Sequence, residues 1–365
     1  MFSPTHLSLR LLQLPTHSSL AAAHGVPTTS FRMLTLVGLH VDNDLDRVVG
    51  WGECSALNEA GYTPEWAEGA FELLRSGAPF TNVSAPMATA AIEMAALDAD
   101  LKQAGESLSG RLGTSGSSAP AGAVVGLAPL STMLDEVEDL AAQGYRRIKI
   151  KIAPGRIVDP VAAVRSSFPG LELHVDANAS LRQEDLPALM QLRDLGVRVV
   201  EQPFSVDDRH MPARLIAETD LDVAADEAVQ SPADVDALAA NQAATAIAVK
   251  PSKLGGIQAA LDVLDQVHAA GMHATIGGML ESGLGRHVLA ALAPLPAFTL
   301  VGDLSPAGRW LADDPFPDIT MRSGMIAAPS HLGIAGEPFA NRLERYTVRR
   351  ATVTATTALA AVTNR

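Results

Sequence analysis

Two rhythms of apolar and polar positions run along this chain. In its first third, Leu7, Leu9 and Leu11 fall two apart, and residues 31–41 and 48–54 read as strands either side of the polar turn DNDLD. SAPMATAAIEMAALDADLKQAG then predicts a helix. Met87, Ala90, Ala91, Met94, Leu97 and Leu101 form its stripe, Ser84 caps it, Pro86 opens its first turn and Gly105 stops it. The small, polar stretch at 113–120, GTSGSSAP, is the best linker candidate.

Beyond it the rhythm changes to short apolar runs alternating with helical segments. The runs are GAVVGLA, RRIKIKI, LELHVDA, VRVVEQP, LDVAADE, TAIAVKP, MHATIGG and FTLVGDL. Helix signals lie between them: Ser131 as an N-cap with Gly144 past the end, Asp159-Pro160, residues 186–195, Ser231-Pro232, and Gly271 as a stop. Regular alternation of this kind predicts parallel strands with right-handed crossovers, and eight runs fit a barrel better than an open sheet. The expected fold class is α/β: a barrel over 120–309, preceded by a mixed strand-and-helix part, 1–112. The Ala/Thr-rich tail, 347–365, has no usable periodicity and is expected to be disordered.

One run poses a question. Ile148-Lys149-Ile150-Lys151-Ile152 alternates strictly, so three isoleucines share one strand face and two lysines the other. Inward-facing lysines would be costly without compensation. The polar residues that end the neighbouring runs supply it. Lys151, Asp176, Glu201, Asp226 and Lys250 follow one another at intervals of 25, 25, 25 and 24 residues, one βα unit each. In a barrel these positions share the C-terminal mouth, the catalytic face. A single Asp or Glu after a strand is ordinarily a helix N-cap, and a single Lys a surface residue. Five in the order K-D-E-D-K on consecutive strands are not accounted for that way.

Three converging carboxylates repel unless paired, and a divalent cation resolves the conflict. Oxygen ligation by Asp176, Glu201 and Asp226 suits a hard ion such as Mg2+, with Mn2+ as a substitute. Lys151 and Lys250 would flank the bound ligand, and a lysine near another cation loses its proton more readily. A neutral lysine with a metal ion is equipment for removing a proton next to a carboxylate, the metal stabilising the enediolate.

Composition narrows the partners. Among 365 residues, 27 basic and 41 acidic side chains leave a net charge of 27 − 41 = −14. That charge argues against nucleic acid and anionic membrane as partners and leaves a small-molecule carboxylate substrate. No apolar run reaches a membrane span, and the leucine-containing N-terminus, interrupted by Arg10 and Gln13, reads as structure rather than a signal peptide. The single cysteine, Cys54, excludes an internal disulfide and fits the cytoplasm. Homo-oligomerisation is left open.

The motifs KIKI, VDAN, EQP, ADE, VKPSKLGG and GGMLESGLG together resemble the enolase superfamily, and the lysine pair resembles its muconate-lactonizing-type subgroup. KIKIAPG, GGMLESGLGR and GDLSPAGRWLADD are most similar to the branch shared by o-succinylbenzoate synthases and N-succinylamino acid racemases. The resemblance implies a modified TIM barrel, (β/α)7β, and an α+β capping domain from 1–112 that includes GWGECSAL and the helix from Pro86 and is completed by a C-terminal segment, 310–346. It implies Mg2+ on Asp176, Glu201 and Asp226, with Lys151 as base and then acid. Lys250 would stabilise the enediolate or serve as the opposite-face acid/base. Lys149 would hold the carboxylate and tune Lys151; Asn178 and Glu227 would support the ligands. Gly277, Gly278 and Met279 would bring backbone close to the substrate tail, and Asp303 and Ser305 would contact substrate. The implied activity is dehydration by o-succinylbenzoate synthase in menaquinone biosynthesis, with N-succinylamino acid racemase, muconate cycloisomerase and dipeptide epimerase as alternatives. The eighth run, Gly302-Asp303-Leu304-Ser305, lacks the Asp-x-Asp that dipeptide epimerases use for an ammonium group. Two departures bear on the substrate: residues 21–28, AAAHGVPT, lack a Phe-Arg-Thr-like stretch, and Ser252-Lys253 replaces a common Gly-Arg pair.

Other residues read as ordinary structure. His174 shares a face with Asp176 and Asn178 but lies deeper, as a hydrogen-bonded core histidine would. His273 precedes Gly277-Gly278, which occupy the place a histidine base would need, and His24 and His210 are loop residues. Cys54 is expected to be buried rather than nucleophilic, and GLGRHVLAALAPL lacks the spacing of a dinucleotide loop. A Schiff-base aldolase would leave three acidic strand ends unexplained. A catalytically silent barrel would be expected to have lost one of the five mouth residues.

Overall fold

The computed structural model describes residues 3–17, 30–42 and 47–354. Residues 21–28, His24 and most of the DNDLD turn lie outside the described residues.

Strands β1 (Ser3–Pro15), β2 (Phe31–Asp42) and β3 (Arg47–Cys54) pair antiparallel. Leu7, Leu9 and Leu11 on one face of β1 are fully buried, as their spacing predicts. Farther along, Leu12 and Leu14 on the other face are buried too, so the end of β1 is covered on both sides. Helices α1 (Ala67–Ser76) and α2 (Pro86–Ala104) cover the sheet. α2 is apolar nearly all round, with Ala88, Ala91, Ala95 and Ala99 buried. Small residues are required there because β3 lies against the helix backbone. A Cβ on Gly50 would stand 2.0 Å from the Ala95 carbonyl oxygen, and one on Gly52 1.9 Å from that of Ala91. The cap of α2 differs from the expectation. Ser84 Oγ donates to the Thr81 carbonyl, and the carboxylate of Glu65 accepts the N–H groups of Met87 (2.8 Å) and Ala88 (3.0 Å). Ser131 likewise is no N-cap; it falls inside the first turn of a helix that begins at Leu130.

The supposed linker ends in structure. β4 (Ser118–Pro120) pairs with β13 (Met325–Ala327), which pairs in turn with β12 (Met321–Arg322). Between them run seven parallel strands in sequential order: β5 (Gly122–Val125), β6 (Arg147–Lys151), β7 (Glu172–Asp176), β8 (Val197–Glu201), β9 (Asp222–Ala225), β10 (Ala246–Val249) and β11 (His273–Ile276). Ile148, Ile150 and Ile152 face outward into a core with Val161 and Val164 of the helix after β6. The eighth run is not a ladder strand. It bridges the edge strands through scattered bonds: the N–H groups of Thr299 and Leu300 to the Ala274 carbonyl at 3.1 Å each, Asp303 N–H to the Ile276 carbonyl at 2.8 Å, and Gly122 N–H to the Leu304 carbonyl at 3.1 Å.

From there the chain returns to the cap. Ala312 N–H donates to the Pro15 carbonyl (2.9 Å), a helix spans Ala340–Tyr346, and β14 (Thr347–Thr354) pairs antiparallel with β1 as the outer strand of the sheet. The start of the expected disordered tail is therefore a strand. Its side chains are exposed or half-buried throughout, which is why no apolar alternation marks it. Residues 355–365 lie outside the described residues.

Candidate active site

The strand-end residues do gather at one mouth, though on a rising line rather than at one height. Lys151 pairs in register with Asp176, and Asp176 with Glu201. Glu201 then pairs with Ala224, two residues short of Asp226, and Ala224 pairs with Ala246, four residues short of Lys250. The stagger is what tilted strands require as a sheet curls toward closure.

Both lysines of IKIKI point inward. Lys151 Nζ donates to Asp176 Oδ2 at 2.7 Å and to the side-chain oxygen of Asn178. Lys149 Nζ donates to both oxygens of Glu201 (2.8 and 2.9 Å) and to Asp303 Oδ2 (2.6 Å), and stands 3.7 Å from Asp176. On the other flank Lys250 Nζ donates to Asp226 Oδ2 (2.5 Å) and to the Tyr62 hydroxyl (2.8 Å). The Tyr62 hydroxyl itself donates to Asp226 at 2.6 Å. Lys253 Nζ takes the other Asp226 oxygen at 2.9 Å, and Asn178 Nδ2 donates to Glu227 at 2.9 Å.

Burial amplifies these charges. Burial together with Asp176, Asp303 and Asp226 raises Glu201 to about 7, against the pull of Lys149. Burial would raise Asp226 too, but Lys250 and Lys253 outweigh it and hold the carboxylate ionised far below its ordinary range. Burial would discharge Lys250, yet Asp226, Glu201 and Glu227 raise its pKa instead. Among protein groups alone, then, Lys250 does not show the easily lost proton that its sequence context suggested. Glu227 is raised to about 6 by burial and by Asp226 and Asp176.

Backbone strain collects at the same loops. Asn178, Ala179, Gln202 and Leu280 all adopt positive φ, at 44°, 59°, 34° and 57°. Gln202, in the EQP motif, accepts the Asp226 N–H with its side-chain oxygen at 3.0 Å and so ties two mouth loops together.

A small cleft, about 40 Å³, lies over the carboxylates. Lys149, Lys151, Asp176, Asn178, Lys250, Gly278, Met279 and Asp303 line it, as do Leu57, Tyr62 and Leu280. Glu201 and Asp226 are buried beneath, and Glu227 opens onto an adjoining cleft. Four residues expected at the substrate are engaged by protein or buried. Gly277 makes room for a side chain rather than for a substrate tail: a Cβ there would lie 2.7 Å from Lys250 Cγ. Ser305 is buried and is not in the cleft lining. Asp303 and Lys149 are committed to protein partners, Asp303 also accepting from the buried Arg147 at 2.8 Å. Sequence reasoning did not single out Tyr62, Leu57, Leu280 or Arg147. Lys253 was noted only as a departure from a common pair. It sits one turn after Lys250 on the helix Pro251–Leu254, and that spacing was a usable signal.

Asp176, Glu201 and Asp226 offer oxygen donors alone, and as like charges they push one another's pKa up, the chemistry expected of a set that awaits a hard cation. Each is turned toward a lysine, and among the described residues no three His, Cys, Asp or Glu side chains form a ready-made metal cluster. His174 is a core histidine: buried, 3.1 Å from Glu172 Oε1, and lowered to about 4 by burial. Cys54 is buried and its thiol is pushed up.

Residues 132–339 match the enolase C-terminal domain-like family. The chain belongs to the enolase superfamily. An o-succinylbenzoate synthase of Bacillus subtilis is 36% identical to it over 84% of this chain and 88% of that protein. An N-succinylamino acid racemase of Amycolatopsis is 33% identical over 94% and 97%. A solved superfamily member from Listeria innocua, 27% identical, superposes with a TM-score of 0.87 over 97% of this chain and 100% of that one. No helix among the described residues is long and apolar enough to cross a membrane.

Proposed function

We propose that this superfamily member removes a proton α to a carboxylate through an enediolate, and that its reaction is the dehydration carried out by o-succinylbenzoate synthases. The observation that carries this reading is the pair Lys151 and Lys250, both lining one cleft above three buried carboxylates. Asp176, Glu201 and Asp226 would hold Mg2+, or Mn2+ in its place, whose positive charge would stabilise the doubly charged enediolate. Lys151 Nζ takes the α-proton and then returns a proton to the leaving hydroxide, which departs as water. Asn178 orients Lys151, and Lys250 presents an ammonium charge across the cleft. Leu57, Met279 and Leu280 provide the apolar side of the site and exclude water. On this reading the protein serves menaquinone biosynthesis in the cytoplasm.

The second reading, N-succinylamino acid racemase, is favoured by the same two lysines: one can take the proton from one face while the other returns it to the opposite face. The two are separated by assaying the cyclohexadiene-carboxylate precursor and N-succinyl amino acids side by side with Mg2+. The expected outcome is turnover of the precursor that is lost on EDTA treatment and in Lys151→Ala. A rate near wild type after either change sinks the mechanism. Deuterium entering the α-position of N-succinyl substrates from solvent supports the racemase reading, and its absence with every such substrate removes it.

A further inference from the structure

One buried cation joins the two parts of the protein just behind the apolar side of the cleft. Arg32, on β2 of the cap sheet, is 4% exposed. Its guanidinium donates to the carbonyls of Ser55 (2.5 Å) and Ala56 (2.6 Å), in the cap loop that follows β3. From the same fork it donates to the carbonyls of Met279 (3.1 Å) and Leu280 (3.4 Å), in the barrel loop that follows β11. Leu57, next to Ala56, lines the cleft together with Met279 and Leu280. Leu280 stands at φ 57°, a left-handed conformation that a leucine does not adopt unless its surroundings impose it. On the barrel side the loop is anchored separately: Glu281 Oε1 accepts the Met279 N–H at 2.6 Å, and Glu281 pairs with Arg286 at 2.7 Å.

We propose that Arg32 is a positioning residue that fixes the separation of Leu57 from Met279 and Leu280, and thereby sets which apolar group of the substrate the cleft accepts. All five acceptors, the neighbouring Met33 carbonyl (2.8 Å) included, are backbone carbonyls, so the fork places main chain on both sides of the seam whatever side chains the loops carry. A lysine at 32 has one nitrogen and cannot span both loops. The consequence for substrate choice rests on the proposed function; the consequence for the loops does not.

The test uses the full chain with Arg32→Lys and, as a second variant that leaves no buried charge, Arg32→Gln. Hydrogen exchange at residues 55–57 and 279–282 is expected to quicken about tenfold or more in both, with the strands of the barrel unchanged. In steady-state assays with Mg2+, KM for an N-succinyl amino acid bearing a large apolar side chain is expected to rise about tenfold. kcat is expected to stay within about threefold, and the constants for the N-succinylalanine-sized substrate within the same range. Unchanged exchange at both loops overturns the proposal. So does a fall in kcat at constant KM, or global unfolding of both variants, since Arg32 would then act on the chemistry or on the whole fold. A wild-type enzyme that turns over neither N-succinyl substrate removes the racemase reading instead, and the exchange measurement still judges the clasp.

Discussion

Replacing Gly277 by alanine puts the placement of Lys250 to a quantitative test. The new Cβ would lie 2.7 Å from Lys250 Cγ and 2.8 Å from Cε, where ordinary contact begins near 3.4 Å. One of the two must therefore move by at least 3.4 − 2.7 = 0.7 Å. Gly277 cannot easily yield, because its N–H is bonded to the Val249 carbonyl at 2.9 Å. The lysine has to move, although its Nζ is held at 2.5 Å by Asp226 and 2.8 Å by Tyr62. A displacement approaching 1 Å of a group at the reaction centre costs about 10²-fold in rate, or about 2.7 kcal/mol at 1.36 kcal/mol per decade. Gly170→Ala is the matched control, since a Cβ there meets nothing within 4 Å. Both variants would be assayed for kcat with Mg2+ and the substrate that wild type turns over, and their folding compared by thermal melting. A Gly277→Ala enzyme that melts like wild type and keeps kcat within about threefold would refute the idea that Lys250 must be held where the structure puts it.

Two further expectations concern stability. Glu65→Ala removes the acceptor for two N–H groups at the start of α2, so urea unfolding should show a loss of about 1–2 kcal/mol; a change within error assigns the capping elsewhere. Asp314 is raised to about 7, chiefly by burial, above a reference value of 3.8. Its contribution to stability is thus present below about pH 4 and is lost as pH rises through 7, where the folded state must bury a charge. Asp314→Asn cannot ionise and should show a shallower fall in urea-derived stability between pH 4 and 7; an identical slope in the two proteins contradicts the assignment.

The local order of this chain was written in its period. Apolar runs bounded by helix signals placed the seven barrel strands, and the interval of one βα unit between Lys151, Asp176, Glu201, Asp226 and Lys250 placed them at one mouth, because a repeating unit returns each strand end to the same side of a sheet. That spacing also settled the direction of IKIKI. What the period could not carry was anything set by contact between units. The stagger of the five residues comes from strand tilt. The eighth run is held by scattered bonds to two edges, and β14 pairs at an outer edge where no buried face imposes alternation. Tyr62 and Arg32 belong to the cap and meet the barrel, Tyr62 at the cleft and Arg32 behind it, across more than a hundred residues of chain, with no spacing to announce them. Gly277 looked like room for substrate and is room for Lys250. Side-chain periodicity records which way a residue faces; only the folded packing decides what it meets there, since that depends on the distance and chemistry of groups remote in sequence.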